Sequence, residues 1–404
     1  MTATREEELT GTRTELRLPT SDGSETSRLH EATAWARPTG PLRSRVAYAA
    51  AHVVPDPLAD NTPGGGVRLD WDATLAYRHE IWSYGLGVAD AMDTAQRGMG
   101  LDWPTTRELV ARSGKEARAA GGLLACGAGT DQLEPATVGE GPAALQRVVD
   151  AYLEQVEVVT EAGATVILMA SRALARAARS AEDYRTVYDA VLEQAPGPVI
   201  VHWLGPMFDP ALAGYWGDPD VPVATATFLE MLHDHADRVD GVKVSLLDAD
   251  HETALRRELP TGVRLYTGDD FNYPELILGD GEHHSDALLG IFAAVYPAAS
   301  AALQALDAGN DDVAREILDS TQALGRHIFS APTPYYKTGV AFLSWLNGRQ
   351  SGFSMVGGLH SGRSLPHLVE IFRLADTAGL LSDPPLAAHR MHQLLSVHGW
   401  QETR

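Results

Sequence analysis

The sequence predicts an α/β protein, a (β/α)8 TIM barrel with a C-terminal helical appendage, and three observations support this fold class. Eight short runs rich in Val, Ile, Leu and Ala alternate with segments of helical periodicity between residues 45 and 292. That span has the usual size of such a barrel, about 250 residues. From residue 293 onward, several helical patterns follow without a convincing strand pattern. This order of elements is typical of a parallel barrel followed by helices.

The predicted strands and helices follow one another regularly along the chain. Strand patterns cover residues 46–54, 87–92, 122–127, 165–169, 198–203, 242–247, 263–267 and 287–292. Helical patterns lie between them at residues 71–84, 105–120, 143–162, 181–194, 224–236 and 251–258. Asp70 is expected to cap the first of these helices, because an aspartate side chain can accept hydrogen bonds from the first helical turn.

The chain is expected to divide into three regions. Residues 1–40 are rich in Thr, Ser, Glu and Arg without sustained periodicity, which is typical of a mobile N-terminal arm. The barrel is expected to cover residues 41–292, and the C-terminal helical region residues 293–404. One uncharged run, residues 287–306, is long enough to cross a bilayer, but Pro297 divides it. We therefore expect a buried strand followed by a buried helix there, and no membrane association.

Composition and charge exclude several classes of partner. The formal net charge is −22 at pH 7, so nucleic acid and anionic membrane surfaces would repel the protein. The single cysteine, Cys126, rules out a disulfide within one chain and a cysteine-based zinc site. A cytoplasmic location fits this cysteine content, and the polar, acidic N-terminus does not resemble a secretory signal.

Lys243 is the strongest candidate for a catalytic residue. It lies inside an apolar run, and strand alternation puts it on the face opposite Val242 and Val244. Burial lowers the pKa of a lysine, and the neutral amine can attack a carbonyl group to form a Schiff base. The alternative is a lysine on an edge strand whose side chain reaches the solvent.

The order of these motifs resembles the dihydrodipicolinate synthase and N-acetylneuraminate lyase superfamily of class I aldolases, in particular a dihydrodipicolinate synthase-like branch of it. Gly241-Val242-Lys243 matches the signature that carries the Schiff-base lysine on the sixth strand of that family. Thr267-Gly268-Asp269-Asp270 is similar to its Ser-Gly-Asp-Asp motif, and residues 364–368 resemble its closing stretch before the last helix. The resemblance runs from about residue 45 to the end. It implies a barrel, a lyase without a cofactor, and a homo-oligomer, either a dimer or a tetramer.

Two positions depart from the pattern of that family. Its second strand ends in Gly-Thr-Thr-Gly-Glu, which holds the carboxylate of a 2-keto acid, whereas residues 92–96 read Met-Asp-Thr-Ala-Gln here. Because Asp93 would repel a carboxylate, we expect a sugar-like substrate in place of a simple keto acid. The catalytic tyrosine of the fifth strand corresponds to His202, which we expect to move protons, since the ordinary pKa of histidine is about 6.5. Tyr266 offers a second aromatic route.

The predicted site combines these positions with others that mostly follow strand ends, where barrel active sites lie. The catalytic residues are expected to be Lys243 and His202. The substrate-binding residues are expected to be Asp93, Thr94, Asp269, Asp270, His52 and Tyr266. Alternatives stay open at three of these positions: Asp269 and Asp270 could cap a turn, and His202 could be a hydrogen-bonded core residue.

The function that these residues predict is a Schiff-base-forming lyase, aldolase or dehydratase acting on a small oxygenated carbonyl compound. Two alternatives stay open. A metal-assisted hydrolase or isomerase could use carboxylates and imidazoles drawn from His202, Asp269, Asp270, His283 and His284. A non-catalytic homologue could bind a ligand without turnover. No metal-binding spacing such as His-Glu-x-x-His is found, so we expect neither a metal ion nor another cofactor.

Overall fold

The computed structural model describes residues 14–400, and the bounds of all elements below refer to this part of the chain. Its strands are β1 Glu15–Thr20, β2 Gly23–Arg28, β3 Ala47–Ala50, β4 Gly87–Asp90, β5 Leu124–Ala128, β6 Thr165–Leu168, β7 Val199–Leu204, β8 Val239–Ser245, β9 Arg264–Thr267 and β10 Asp286–Leu289. Its α-helices are α1 Trp71–Ser83, α2 Trp103–Ala120, α3 Pro142–Glu161, α4 Arg172–Ala177, α5 Ala181–Gln194, α6 Val221–Asp234, α7 Ala249–Glu258, α8 Tyr273–Leu278, α9 Phe292–Asp307, α10 Asp311–Ile328, α11 Tyr336–Leu346, α12 Leu365–Thr377 and α13 Pro384–Val397.

Strands β3 to β10 form a closed parallel barrel in chain order, and β10 pairs with β3 to close it. Helices α9 to α13 follow the last strand. The predicted (β/α)8 barrel with a C-terminal helical appendage is therefore confirmed. A cluster of apolar side chains fills the barrel interior and includes Ala50, Ala89, Ile167, Ile200 and Leu288.

Most predicted element bounds lie within a few residues of the structure, but the first strand, predicted at 46–54, ends at Ala50, and the short helices α4 and α8 were not predicted. Asp70 caps α1 as predicted, because its side chain accepts a hydrogen bond of 2.9 Å from the Ala73 N–H. The eighth strand was predicted at 287–292, but β10 ends at Leu289 and α9 begins at Phe292. An uninterrupted apolar run carries no period that distinguishes a buried strand from a buried helix.

The long uncharged run of residues 287–306 forms β10 and most of α9, as expected. Pro297 lies inside α9, two residues after Val295, whose backbone departs from helical geometry at φ −114° and ψ 17°. Among the described residues, no helix is both long and apolar enough to cross a membrane.

The N-terminal region differs from the expected mobile arm over residues 14–29. Strands β1 and β2 form an antiparallel hairpin, and β1 packs against α12 and α13. Leu16, Leu18 and Leu29 are buried in the main core, and Arg373 of α12 donates a hydrogen bond of 3.1 Å to the Pro19 carbonyl. Short strands with polar outward faces carry little apolar signal in the sequence, which explains the difference. The first 13 residues lie outside the described part, and the three domain bounds stay a prediction.

Candidate active site

Two of the three lysines in the sequence are buried at the same end of the barrel. Lys115 lies on an exposed face of α2, whereas Lys243 of β8 and Lys337 of α11 are only 7% and 2% exposed. Lysine is among the side chains that proteins bury least, because removing an ammonium group from water is unfavourable. Both buried lysines interact electrostatically with Asp93, which places them around one site.

Lys243 projects from β8 into the barrel interior, as strand alternation predicted. Val242 and Val244, on the opposite face, belong to the core between the strands and the outer helices. Next to β8, Gly268 packs closely against this strand, since a Cβ added there would lie 2.6 Å from the Val244 carbonyl oxygen and 3.0 Å from Lys243 Cε, and would also collide with Ser245 Oγ. A side chain at position 268 would therefore disturb the end of the strand that carries the lysine.

Two carboxylates act electrostatically on Lys243. Burial lowers the pKa of Lys243, and the carboxylates of Asp270 and Asp93 oppose this effect. Burial also raises the pKa of Asp270 to about 7, although this carboxylate accepts a hydrogen bond of 2.7 Å from the Ile291 N–H. A carboxyl group with this pKa can both accept and donate a proton at neutral pH.

His202 lies directly beside Lys243, because β7 and β8 pair these two residues in register. Its ring is completely buried, and Nε2 lies 3.2 Å from Ser245 Oγ. Among the described residues, Nδ1 has no hydrogen-bond partner. Burial and the charge of Lys243 hold the pKa of His202 well below its usual value, so the imidazole is neutral. The expected titration near neutrality therefore does not fit this environment, which sequence alone could not show.

A tyrosine from the C-terminal region completes the site. Tyr336 is the first residue of α11, and its Oη lies 2.8 Å from Thr94 Oγ1 in a hydrogen bond. Asp93 and Asp270 both act electrostatically on this tyrosine, as they do on Lys243. Burial and these charges hold the pKa of Tyr336 well above 10, so its hydroxyl keeps its proton and can donate.

Tyr336 is held in place by aromatic packing at the end of β10. Its ring stacks on Phe329 with the centroids 4.3 Å apart, and Phe208 meets it edge-on. Gly290 makes room for this pair, because a Cβ there would lie 2.7 Å from the Phe329 ring. The sequence does not indicate this role of Tyr336, because no local motif links it to the barrel residues of the site, the last of which, Asp270, precedes it by 66 residues.

An open cleft of about 200 Å³ lies above the carboxyl ends of β4 to β7. Its lining includes Asp93, Arg97, Thr130, Ser171, Arg172 and Asp209. Arg97 is part of the wall, because Asp131, Gln155 and the Gly127 carbonyl already accept its hydrogen bonds. Asp93 belongs both to this lining and to the surroundings of Lys243, so it connects the cleft with the buried lysine.

Three predicted site residues are engaged in other contacts. Asp269 caps a turn, the alternative left open above, and accepts hydrogen bonds of 2.9 and 3.0 Å from the N–H groups of Phe271 and Asn272. Tyr266 points to the amino end of the barrel and donates a hydrogen bond of 2.6 Å to Asp240. His52 is buried against Tyr77, its Nε2 lies 3.0 Å from Gln350 Oε1, and burial lowers its pKa to about 4.

The structure thus brings together Lys243, His202, Asp93, Thr94 and Asp270. It adds Tyr336 and Lys337 to them. His52 and Tyr266 lie apart, whereas Asp269, which acts electrostatically on Asp270, accepts turn hydrogen bonds next to the site.

The histidines considered for a metal site do not lie close together. His283 and His284 are exposed in the loop that precedes β10, at the amino end of the barrel, whereas His202 faces the interior. Across residues 14–400, no group of three or more His, Cys, Asp and Glu side chains has an arrangement that could hold a metal ion.

Comparisons with known proteins agree with this architecture. A family model described as "Protein of unknown function (DUF993)" matches residues 16–400, and the chain belongs to that family. No curated protein matches the chain.

The solved structures that resemble this chain include three dihydrodipicolinate synthases. The enzyme from Thermotoga maritima has a TM-score of 0.59 and 16% identity, with 84% of this chain and 100% of that chain covered. The enzyme from Oceanobacillus iheyensis has a TM-score of 0.59 and 14% identity, with 82% of this chain and 96% of that chain covered. A chloride-inhibited enzyme from Acinetobacter baumannii complexed with pyruvate has a TM-score of 0.58 and 16% identity, with 84% of this chain and 100% of that chain covered. At these identities the likeness shows the fold, and the resemblance predicted from the sequence motifs is confirmed at that level.

Proposed function

We propose that this protein is a class I lyase of the aldolase or dehydratase type that forms a Schiff base between Lys243 and a small oxygenated carbonyl compound. The observation that carries this proposal is the position of Lys243, buried in the barrel interior between the carboxylates of Asp93 and Asp270. A buried lysine with a lowered pKa supplies the neutral amine that attack on a carbonyl requires. The fold shared with dihydrodipicolinate synthases supports the same enzyme class.

In the proposed mechanism, the Lys243 nitrogen attacks the carbonyl carbon, and the carbonyl oxygen leaves as water after receiving two protons, one from the attacking nitrogen and one from a neighbouring acid, which leaves a protonated imine. Asp270, with a pKa of about 7, can deliver one of them and later accept a proton from the substrate. The imine then accepts the electron pair released when a bond to the neighbouring carbon breaks. Of the hydroxyls of Tyr336 and Thr94, one donates to the other, and the remaining O–H would donate a hydrogen bond to a substrate oxygen.

His202 has a positioning role in this proposal. Its neutral ring contacts Ser245 Oγ on the strand that carries Lys243, and its burial beside the lysine excludes water from the amine. Since its pKa lies well below the usual value, it is a weak base at neutral pH. In this proposal, Asp270 and Tyr336 therefore take the role of proton transfer that the sequence analysis assigned to His202.

The proposed substrate is a polyhydroxylated, sugar-derived carbonyl compound. The Acinetobacter baumannii synthase binds pyruvate, whose carboxylate is adjacent to its carbonyl. In this chain Asp93 acts electrostatically on Lys243, so a carboxylate next to the imine would face a like charge. Hydroxyl groups can accept hydrogen bonds from Tyr336 and donate to Asp93, and they bring no net charge.

Trapping with borohydride tests the proposal directly. The protein is incubated with dihydroxyacetone or pyruvate and then reduced, which converts an imine into a stable secondary amine. Because the chain has only three lysines, peptide mass mapping assigns the adduct unambiguously. We expect labelling at Lys243, stronger with dihydroxyacetone than with pyruvate.

Lys243→Met should abolish this labelling, and Lys115→Met, a change on the exposed face of α2, should leave it intact. If a broad panel of aldehydes and ketones gives no adduct at Lys243, the Schiff-base mechanism is excluded.

A further inference from the structure

Lys337 is a buried cation whose hydrogen-bonding capacity is largely unused. Only 2% of it is exposed, and among the described residues its ammonium makes one hydrogen-bonding contact, with the thioether sulfur of Met99 at 3.1 Å. The ammonium also lies 5.0 Å from the centre of the Tyr336 ring. An ammonium group has three donors, and a thioether is a weak acceptor. Lys337 therefore lacks the oxygen acceptors that a buried ammonium requires.

The charges that act on Lys337 all line the cleft. They belong to Asp93, Arg172 and Asp209, which come from the turn after β4, from α4 and from the loop after β7. The Arg172 side chain is 41% exposed, donates from Nε to Asp209, and reaches the Gly98 carbonyl from Nη1 at 3.3 Å. Since Gly98 and Met99 are consecutive, the two cations contact neighbouring residues of one loop.

We propose that Lys337 and Arg172 form an anion subsite that binds an acidic group, a phosphate or a carboxylate, at the end of the substrate remote from its carbonyl. This inference deepens the proposed function and rests on it. The substrate would then be a sugar-derived carbonyl compound with a terminal acidic group. Its carbonyl end would reach Lys243, and its chain would pass Asp93, which interacts with both lysines.

The neighbouring carboxylates do not already satisfy Lys337. Asp93 and Asp209 favour its charged form, whereas Arg172 and burial disfavour it, and the net result lowers the pKa of Lys337 to about 8. An anion that accepts hydrogen bonds from the ammonium would raise this pKa again, so anion binding and protonation of Lys337 favour each other. Binding is therefore expected to be strongest below pH 8 and to weaken as pH rises above it.

Isothermal titration with sulfate and with malonate tests the subsite, because both anions keep a constant charge between pH 7 and pH 9.5. We expect saturable binding at pH 7 that is at least about 10-fold weaker at pH 9.5. Lys337→Met and Arg172→Leu should each weaken binding at pH 7 by about 10-fold or more, and Lys115→Met should leave it unchanged. Lys337→Arg should bind at both pH values, because arginine stays charged.

The two anions distinguish the two kinds of acidic group. Tighter binding of sulfate indicates a phosphate ester, and tighter binding of malonate indicates a carboxylate.

The subsite is overturned if the wild-type protein binds neither anion at tens of millimolar, or if binding is insensitive both to pH and to the changes at Lys337 and Arg172. If Lys337→Met fails to fold, as judged by circular dichroism, the Arg172→Leu variant and the pH dependence of binding to Lys337→Arg still test whether the subsite exists. The trapping experiment at Lys243 separates the two proposals. An adduct without anion binding removes only the subsite, and anion binding without an adduct removes the Schiff-base mechanism.

Discussion

Replacing Asp93 by asparagine removes one negative charge from the centre of the candidate site and keeps the shape of the side chain. Asp93 interacts electrostatically with Lys243, Lys337 and Tyr336, so the change should alter both the choice of carbonyl compound and the pH dependence of imine formation. We expect Asp93→Asn to increase the labelling of Lys243 by pyruvate relative to dihydroxyacetone. Asp93→Thr, which restores the threonine of the related pattern, should act in the same direction.

The size of the effect follows from Coulomb's law. Two like charges about 4–6 Å apart repel each other by about 3–4 kcal/mol at an effective dielectric constant of about 20. Screening and side-chain movement reduce this value, so we expect the preference between the two compounds to shift by about 10- to 100-fold. The substitution also removes a carboxylate that raises the pKa of Lys243. The neutral amine should then appear at lower pH, and the pH profile of labelling should move in the acidic direction for both compounds.

The assay measures the initial rate of borohydride-dependent incorporation at Lys243 as a function of pH and carbonyl concentration. Taking the ratio of pyruvate to dihydroxyacetone cancels the change in amine reactivity, because that change affects both compounds equally. Glu134→Gln is a matched control, since Glu134 lines the same cleft and is not among the carboxylates that act on Lys243. A ratio that stays the same in both Asp93 variants would refute the idea that Asp93 excludes 2-keto acids.

Two further changes test the parts of the molecule that sequence reasoning treated differently. Tyr336→Phe should slow imine formation by about 10-fold or more, because it removes the hydroxyl bonded to Thr94, and a circular dichroism spectrum like that of the wild type would show that packing is retained. Deleting residues 1–29 should lower the melting temperature by several degrees, since three buried leucines leave the core, each contributing about 1.5–3 kcal/mol. Deleting residues 1–13 is the control, and equal melting temperatures for the two truncations would contradict the packing of the hairpin.

The sequence predicted the barrel well because its strands and helices differ in local pattern. The short apolar runs of the barrel and the amphipathic segments between them have different periods, and Asp70 marks the start of α1 as its chemistry requires. The hairpin β1–β2 could not be predicted in this way. It is stabilised by contacts between Leu16 or Leu18 and helices that lie more than 300 residues further along the chain.

The paired aspartates show where prediction of the site ends. Asp269 and Asp270 follow β9 in a single motif, and the sequence gives both the same two interpretations, turn capping or a place in the site. In the structure, Asp269 accepts backbone hydrogen bonds from the next turn, whereas Asp270 accepts one from Ile291 at the end of β10. Only the distant partner distinguishes the two carboxylates. Turn capping by Asp269 can be predicted from the adjacent sequence, whereas the hydrogen bond between Asp270 and Ile291, 21 residues away, cannot.

The first turn of α11 connects the two chemical parts of the site. Successive residues of a helix point about 100° apart, so Tyr336 and Lys337 reach different hydrogen-bond partners although the Lys337 ammonium lies 5.0 Å from the centre of the Tyr336 ring. Tyr336 contacts Thr94, the neighbour of Asp93, and Lys337 contacts Met99, the neighbour of the cleft residue Gly98. A barrel cut at residue 292 would lose both side chains and would leave Lys243 without the phenol that shares its carboxylate neighbours. The C-terminal helices are therefore part of the candidate active site, and the barrel alone does not contain it.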